Sequence, residues 1–194
     1  MNVGIVGFGS IGTEVAKALI KGVEDFSFYG VTSRSKANAL KKIAKLNKNI
    51  KIYDLDNLVD NYEIIIDCAP KEAFRNIATK CINKERKLIT VSGSGILDNL
   101  DLKKLAKTNN SQIILATGAI LGLDALRAAS ESNINSVTMI TRKPPNALTN
   151  APYIINNNIQ LNNLIEPKLI FKGSATDGAK AFPANVNVAA AVGL

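Results

Sequence analysis

The sequence predicts an α/β fold, a doubly wound parallel sheet with helices on both faces. Three observations carry this reading. Strand and helix patterns alternate through roughly the first 115 residues. A glycine-rich turn, Gly7-Phe8-Gly9-Ser10-Ile11-Gly12, separates a β-branched run from an amphipathic one. Glu63-Ile64-Ile65-Ile66-Asp67 is continuously β-branched, as a strand buried on both faces is. The 46% hydrophobic and 5% aromatic content suits an aliphatic core of this type.

Taken in order, Val3-Gly4-Ile5-Val6 reads as the first strand. Ile11, Val15, Ala16, Leu19 and Ile20 then share one face of a helix. Phe26 to Thr32 is the second strand, Ala37 to Leu46 a short basic helix, and Ile50 to Tyr53 a third strand. The run ending at Asp67 is the fourth. Pro70 introduces a helix from Lys71 to Asn83. Lys87 to Val91 is a fifth strand, Leu100 to Lys107 a helix, and Gln112 to Leu115 a sixth strand.

After Thr117 the rhythm changes. Gly118 to Gly122 opens a helix through Ala129, and Val137 to Thr141 reads as a strand ending in Arg142-Lys143-Pro144-Pro145. An asparagine-rich polar stretch follows from Asn146 to Asn163, either an excursion over a site or a long loop. Lys168 to Phe171 reads as another strand. Ser174 caps a helix through Lys180, Pro183 breaks it, and Val186 to Leu194 is apolar and helical. The boundaries expected are a first domain over 1–117, a second over 118–182 and the start of a junction helix over 183–194.

Composition excludes several functions. The formal charge is +8, but the lysines are scattered from Lys36 to Lys48 and Lys103 to Lys107 with no aromatic platforms between them. Solvated helix faces are expected rather than a nucleic-acid surface. No apolar run approaches the ~20 residues of a membrane span, and the first strand occupies the place of a signal peptide. Cys68 and Cys81 read as reduced thiols of a cytoplasmic protein. The chain contains no histidine, which excludes within it a Ser-His-Asp triad, a His-rich zinc site and a histidine base. No metal site is expected.

Strand, G-x-G-x-x-G and helix in that order form a dinucleotide fingerprint. Gly7 permits the tight turn, Gly9 lets a pyrophosphate approach the backbone, and Gly12 seats the helix against the strand. Ser10 and Ile11 begin that helix, whose first N–H groups favour phosphate. Such folds place a carboxylate about 20 residues on, for the adenine ribose. This chain has Thr32-Ser33-Arg34-Ser35-Lys36 instead. Arg34 could pair with a 2′-phosphate, with Ser33 and Ser35 donating hydrogen bonds, which tilts the cofactor from NAD toward NADP or toward use of both. The plainer alternative is an exposed arginine at a strand end.

Asp67-Cys68-Ala69-Pro70 and Ser92-Gly93-Ser94-Gly95 follow the fourth and fifth strands at the carboxyl edge. Ala69 and Pro70 are small enough to admit the nicotinamide ribose, and the second loop reads the same way; each is otherwise an ordinary βα loop. Arg142 and Lys143 are adjacent cations stiffened by two prolines, suited to a dicarboxylate or merely to solvent. Asn185 and Asn187 flank the start of the last helix. Asparagine suits a carboxamide, while Asn185 could equally be an N-cap.

Ala116 through Leu126, Thr141-Arg142-Lys143-Pro144-Pro145, and Lys180 through Ala189 together resemble the L-aspartate dehydrogenase family. The similarity runs in order through the whole chain. It implies a Rossmann domain followed by an α+β domain that carries substrate and a homodimer contact. The reaction implied is L-aspartate with NAD or NADP giving iminoaspartate, then oxaloacetate and ammonia, or the reverse, with a possible outlet to NAD biosynthesis. Ala119 and Asn185 match the family's NAD-contact positions, and Arg142, Lys143 and Asn187 are assigned to the substrate. The family's active-site histidine lies beyond the Phe182-Pro183-Ala184-Asn185-Val186-Asn187 segment, where this sequence ends. The sequence is then a piece of a longer chain, or the activity is lost; the missing last strand and closing helix favour the first. Lys180 is the nearby candidate for acid–base help.

Two other readings compete. A homoserine-dehydrogenase-like or dihydrodipicolinate-reductase-like enzyme would share the build, but the second and third motifs argue against it. A non-catalytic dinucleotide-binding protein would account for the missing histidine.

Overall fold

The computed structural model describes residues 1–194 apart from 47, 48, 117, 119 and 184–186. The chain divides into two compact units, Met1–Ala116 and Thr117–Leu194.

In the first unit β1 (Asn2–Val6), β2 (Ser27–Thr32), β3 (Lys51–Ile52), β4 (Ile64–Asp67), β5 (Lys87–Thr90) and β6 (Gln112–Leu115) form one sheet. Every pairing is parallel, in the order β3-β2-β1-β4-β5-β6. This is the doubly wound order, and it reverses direction between β1 and β4. The connecting helices are α1 (Ser10–Lys21), α2 (Lys36–Ile43), α3 (Leu55–Asn61), α4 (Phe74–Asn83), α5 (Gly93–Leu97) and α6 (Asp101–Thr108).

The period of two along a strand sorts the core into two layers. Ile5 packs with Phe8, Ala16, Phe28, Val31 and Ala39, under α1 and α2. Its neighbour Val6 joins Leu58, Ile65, Phe74, Ile77 and Leu102, under α3, α4 and α6. Burial on both faces explains why β4 is apolar without alternation.

Two helices of this unit escape the periodicity argument because they are short. α3 follows a β3 that is only two residues long rather than the four expected. Its signal is the cap: Asp54 accepts from the Asn57 N–H at 2.8 Å, and its other carboxylate oxygen from the Asn57 side chain at 2.7 Å. α5 occupies what reads in the sequence as the Ser92–Gly95 loop, and those four residues are buried.

The second unit contains α7 (Leu123–Ala129), α8 (Pro152–Asn156), α9 (Ala175–Ala181) and α10 (Asn187–Gly193). Tyr153, Phe171 and Phe182 form a ring cluster with centroids 5.3 to 5.6 Å apart. Ser174 caps α9, accepting from the Asp177 N–H at 3.1 Å and donating to its carboxylate at 2.6 Å. α8 lies inside the asparagine-rich stretch, with Pro152 at its first turn. α7 begins at Leu123 rather than at Gly118, because Gly122 takes a left-handed conformation with φ +78° and starts the helix afresh.

Among the described residues of this unit there is no strand. The segments 137–141 and 168–171, both expected as strands, have β-forming sequences without a ladder partner. Propensity alone does not make a strand; the hydrogen bonds come from a neighbour. Val137, Met139 and Ile140 are accordingly exposed. Cys68 and Cys81 are free thiols. Among the described residues no helix is long and apolar enough to cross a membrane.

Candidate functional site

The carboxyl edge of the first unit's sheet gathers the glycine turn, the end of β2 and the loop after β4. β1 delivers the chain to Gly7, whose φ of +88° is accessible to glycine and strained for any other residue. Gly7 N–H donates to the Thr32 carbonyl at 3.0 Å, tying the turn to the end of β2. A Cβ on Gly7 would stand 2.7 Å from the Cys68 carbonyl group and the Ala69 nitrogen, so the turn sits flush on the loop after β4. Gly12 approaches the Gly7 carbonyl too closely for any side chain. At Gly9, by contrast, a Cβ would meet nothing within 4 Å.

These two close approaches and one open face are the cradle a dinucleotide pyrophosphate requires, so the residues fit that group. Gly9 is the N-cap of α1, and no side chain caps the helix. Its first turn holds no acid, and Gly9, Ser10 and Ile11 are exposed. The first N–H donors of α1 therefore face outward beside a partial positive charge. Lys42, on α2, donates to the Phe8 carbonyl at 2.9 Å and steadies the turn from the flank. Nothing in the local sequence signals that contact, since the two residues are 34 apart.

At the end of β2, Ser33 Oγ donates to the Ser35 carbonyl at 3.3 Å, and Ser35 Oγ accepts from the Asn38 N–H to cap α2. Arg34 and Lys36 are exposed, and the first turn of α2 holds no acid. A cation at a helix N-terminus opposes the macrodipole, so an anion there relieves a local electrostatic cost. Asp54 is held below the usual carboxylate range by its hydrogen bonds from Asn57, with a further contribution from the Lys36 ammonium.

Beyond Gly7, Asp67 ends β4 almost fully buried, at 1% exposure. It accepts from the Ala69 N–H at 2.9 Å and from Thr90 Oγ1 at 2.8 Å. Burial pushes its carboxyl above the ordinary value, opposed by those two donors. Burial, then the Asp67 charge, pushes the Cys68 thiol up to about 12, so it stays protonated at neutral pH. Ala69 is half-buried and Pro70 exposed at the rim. The loop after β5 does not open to a ligand as expected: Ser92 and Ser94 are buried, and Gly95 packs on Phe74 and Ser92.

The structure thus brings Gly7, Gly9, Ser10, Ile11, Gly12, Ser33, Arg34, Ala69 and Pro70 to one edge of one sheet. The remaining candidates belong to the second unit. Arg142 and Lys143 are exposed, just before a short turn at Pro145–Ala147. Lys180 is exposed in the last turn of α9, and Asn187 opens α10. Ala119 and Asn185 lie outside the described residues. Among the described residues no group of three Cys, Asp or Glu could hold a metal ion.

Comparison with known proteins matches both parts of the chain. Residues 7–116 match the family model for the homoserine dehydrogenase NAD binding domain. Residues 124–194 match the model for the aspartate dehydrogenase C-terminal domain. The chain is 41% identical to L-aspartate dehydrogenase of Bradyrhizobium diazoefficiens, covering 100% of this chain and 69% of that protein. It is 37% identical to L-aspartate dehydrogenase of Methanocella arvoryzae, covering 99% of this chain and 72% of that protein. The crystal structure of aspartate dehydrogenase from Thermotoga maritima superposes with a TM-score of 0.70 over 100% of this chain and 72% of that one. At 21% identity that likeness shows the fold. With both parts of the chain matched, and a relative this similar spanned over more than two thirds of its length, the chain belongs to the L-aspartate dehydrogenase family of NAD(P)-dependent enzymes.

Proposed function

We propose that this chain oxidises L-aspartate to iminoaspartate with NAD or NADP, hydrolysis then giving oxaloacetate and ammonia, and that the same site runs the reverse reaction. The observation that carries the reading is the glycine cradle: Gly7 and Gly12 closed against backbone, Gly9 open to a ligand. The dinucleotide supplies hydride transfer at its nicotinamide ring. The protein's part is to bind and orient. Gly9, Ser10, Ile11 and Gly12 present backbone N–H groups to the pyrophosphate, and Ala69 and Pro70 leave room for the second ribose. Arg34, with Ser33, faces the adenine ribose and favours NADP where a 2′-phosphate is present. Ala119 and Asn185 are also assigned to the dinucleotide, as the family's NAD-contact positions.

Residues 1–117 are assigned to the dinucleotide, residues 118–182 to substrate and a homodimer contact, and residues 183–194 to the start of a junction helix. Arg142 and Lys143 hold the two carboxylates of aspartate, with Asn187 beside them, and Lys180 Nζ takes or returns a proton at the amine. The setting is cytoplasmic, with no nucleic acid or membrane as partner, and the imine is a reactive intermediate available to NAD biosynthesis. Holding both reactants in one geometry is the main catalytic contribution of such a site.

The test is NAD(P)-dependent oxidation of L-aspartate, read from nicotinamide absorbance, alongside dinucleotide titration. Turnover with L-aspartate supports the reading; turnover only with another amino or hydroxy acid overturns the substrate assignment. A second reading is dinucleotide binding without turnover. Binding of NAD or NADP with no turnover would select it.

A further inference from the structure

The doubly wound sheet has one crevice where its strand order reverses, between β1 and β4. Asp67 ends β4 at that crevice, paired in register with Val6 on one side and Thr90 on the other. Its carboxylate links three backbone segments. One oxygen accepts from Ala69 N–H at 2.9 Å, folding the loop after β4 back on itself. The other accepts from Thr90 Oγ1 at 2.8 Å, and Thr90 Oγ1 accepts from Ser92 N–H at 3.0 Å, so the loop after β5 is held as well. The peptide that Asp67 folds, Cys68–Ala69, is the surface on which Gly7 of the phosphate turn rests.

Among the described residues no cation forms an ion pair with Asp67. A buried acid with no countercharge is costly, and a strand end needs none. The two well-made acceptor contacts are what the position retains. We infer that Asp67 is a positioning residue for the dinucleotide, its carboxylate holding the Cys68-Ala69-Pro70 loop against the phosphate turn so that the wall of the binding crevice is preformed. The inference rests on the proposal that a nicotinamide dinucleotide binds at this edge.

The test uses the 194-residue chain with NAD and NADP as probes. Asp67→Ala should raise the dinucleotide Kd about tenfold, the scale of a lost hydrogen bond to a charged group. The KM for L-aspartate at saturating dinucleotide should stay near wild type. Asp67→Asn keeps one acceptor for the Ala69 N–H and should recover most of the affinity. Thr90→Val, which preserves shape but removes the hydroxyl, should weaken dinucleotide binding in the same direction, and it is the arm to read if Asp67→Ala does not fold. In the wild-type protein the Ala69 amide should exchange slowly with solvent before any dinucleotide is added. A Kd within twofold of wild type in folded Asp67→Ala or Thr90→Val overturns the inference while leaving the dinucleotide site standing. So does an Ala69 amide that becomes protected only on binding. Wild-type protein that binds neither NAD nor NADP overturns the dinucleotide reading itself, and the inference with it.

Discussion

Lys42 Nζ donates a 2.9 Å hydrogen bond to the carbonyl oxygen of Phe8, so a helix two elements away grips the middle of the phosphate turn. The contact is partly buried, where a charge-assisted bond is stronger than in water. Lys42→Met should cost about 0.5–1.5 kcal/mol of stability and weaken NAD and NADP binding alike, because it loosens the turn and not the ribose pocket. Urea unfolding and dinucleotide titration read the two effects separately.

Gly9 and Gly12 should separate folding from binding. A Cβ at Gly9 meets nothing, so Gly9→Val should melt near the wild-type temperature. It should nevertheless lose about tenfold or more in dinucleotide affinity, because the branched side chain fills the approach to the backbone N–H groups. A Cβ at Gly12 would strike the Gly7 carbonyl, so Gly12→Ala should destabilise the fold itself by about 1–3 kcal/mol. Thermal melts with and without dinucleotide check both.

Arg34→Asp should reverse the cofactor preference. The guanidinium lies exposed beside Lys36 at an α2 terminus that lacks acids. Replacing it with a carboxylate repels a 2′-phosphate and offers an acceptor to a ribose diol. The expected result is an NADP KM raised about tenfold or more, with the NAD KM equal or lower. Steady-state kinetics with each cofactor measures it; an unchanged ratio removes Arg34 from the site.

Asp67 should leave a mark on the pH dependence of stability. Burial raises its carboxyl above the ordinary value in the folded chain. Its contribution is therefore fully present below the ordinary carboxylate value of about 3.9, and is lost as pH rises through the raised value. Asp67→Asn removes this term. The variant should compare best with wild type at neutral pH and progressively worse as acid is added. Asp101 works in the opposite sense: its hydrogen bonds from Arg75, then the guanidinium charge, lower its carboxyl, so its contribution is lost as pH falls. Urea midpoints across the acid range, for wild type, Asp67→Asn and Asp101→Asn, test both signs.

Arg142→Ala and Lys143→Ala should raise the KM for L-aspartate about tenfold each, with dinucleotide Kd unchanged. A shift in dinucleotide Kd instead would move these cations to the cofactor. Initial rates at saturating NAD or NADP decide between the two.

Much of the first unit was legible in the residues, because its signals are local. β-branched runs, helical periodicity and a glycine turn each report on their own few residues, and their alternation leaves one common parallel topology. Short pieces were missed for the same reason. α3 and α8 are too brief for a period to show, although the Asp54 cap and Pro152 announce them. The expected strands at 137–141 and 168–171 failed for the opposite reason: their propensity is local, but a strand exists only through a partner's hydrogen bonds.

By itself the sequence determined the parallel sheet, the glycine turn that suits a dinucleotide, the missing ribose carboxylate and the motifs that carry the family. Only the tertiary structure decided what holds that turn in place. Lys42 reaches Phe8 across 34 residues, Asp67 reaches Thr90 across 23, and Gly7 rests on a loop that begins at Cys68. Hydrogen bonds and close backbone approaches of that separation have no signature in a linear pattern. They come into being when strands distant in the chain are laid side by side and their loops meet at one edge.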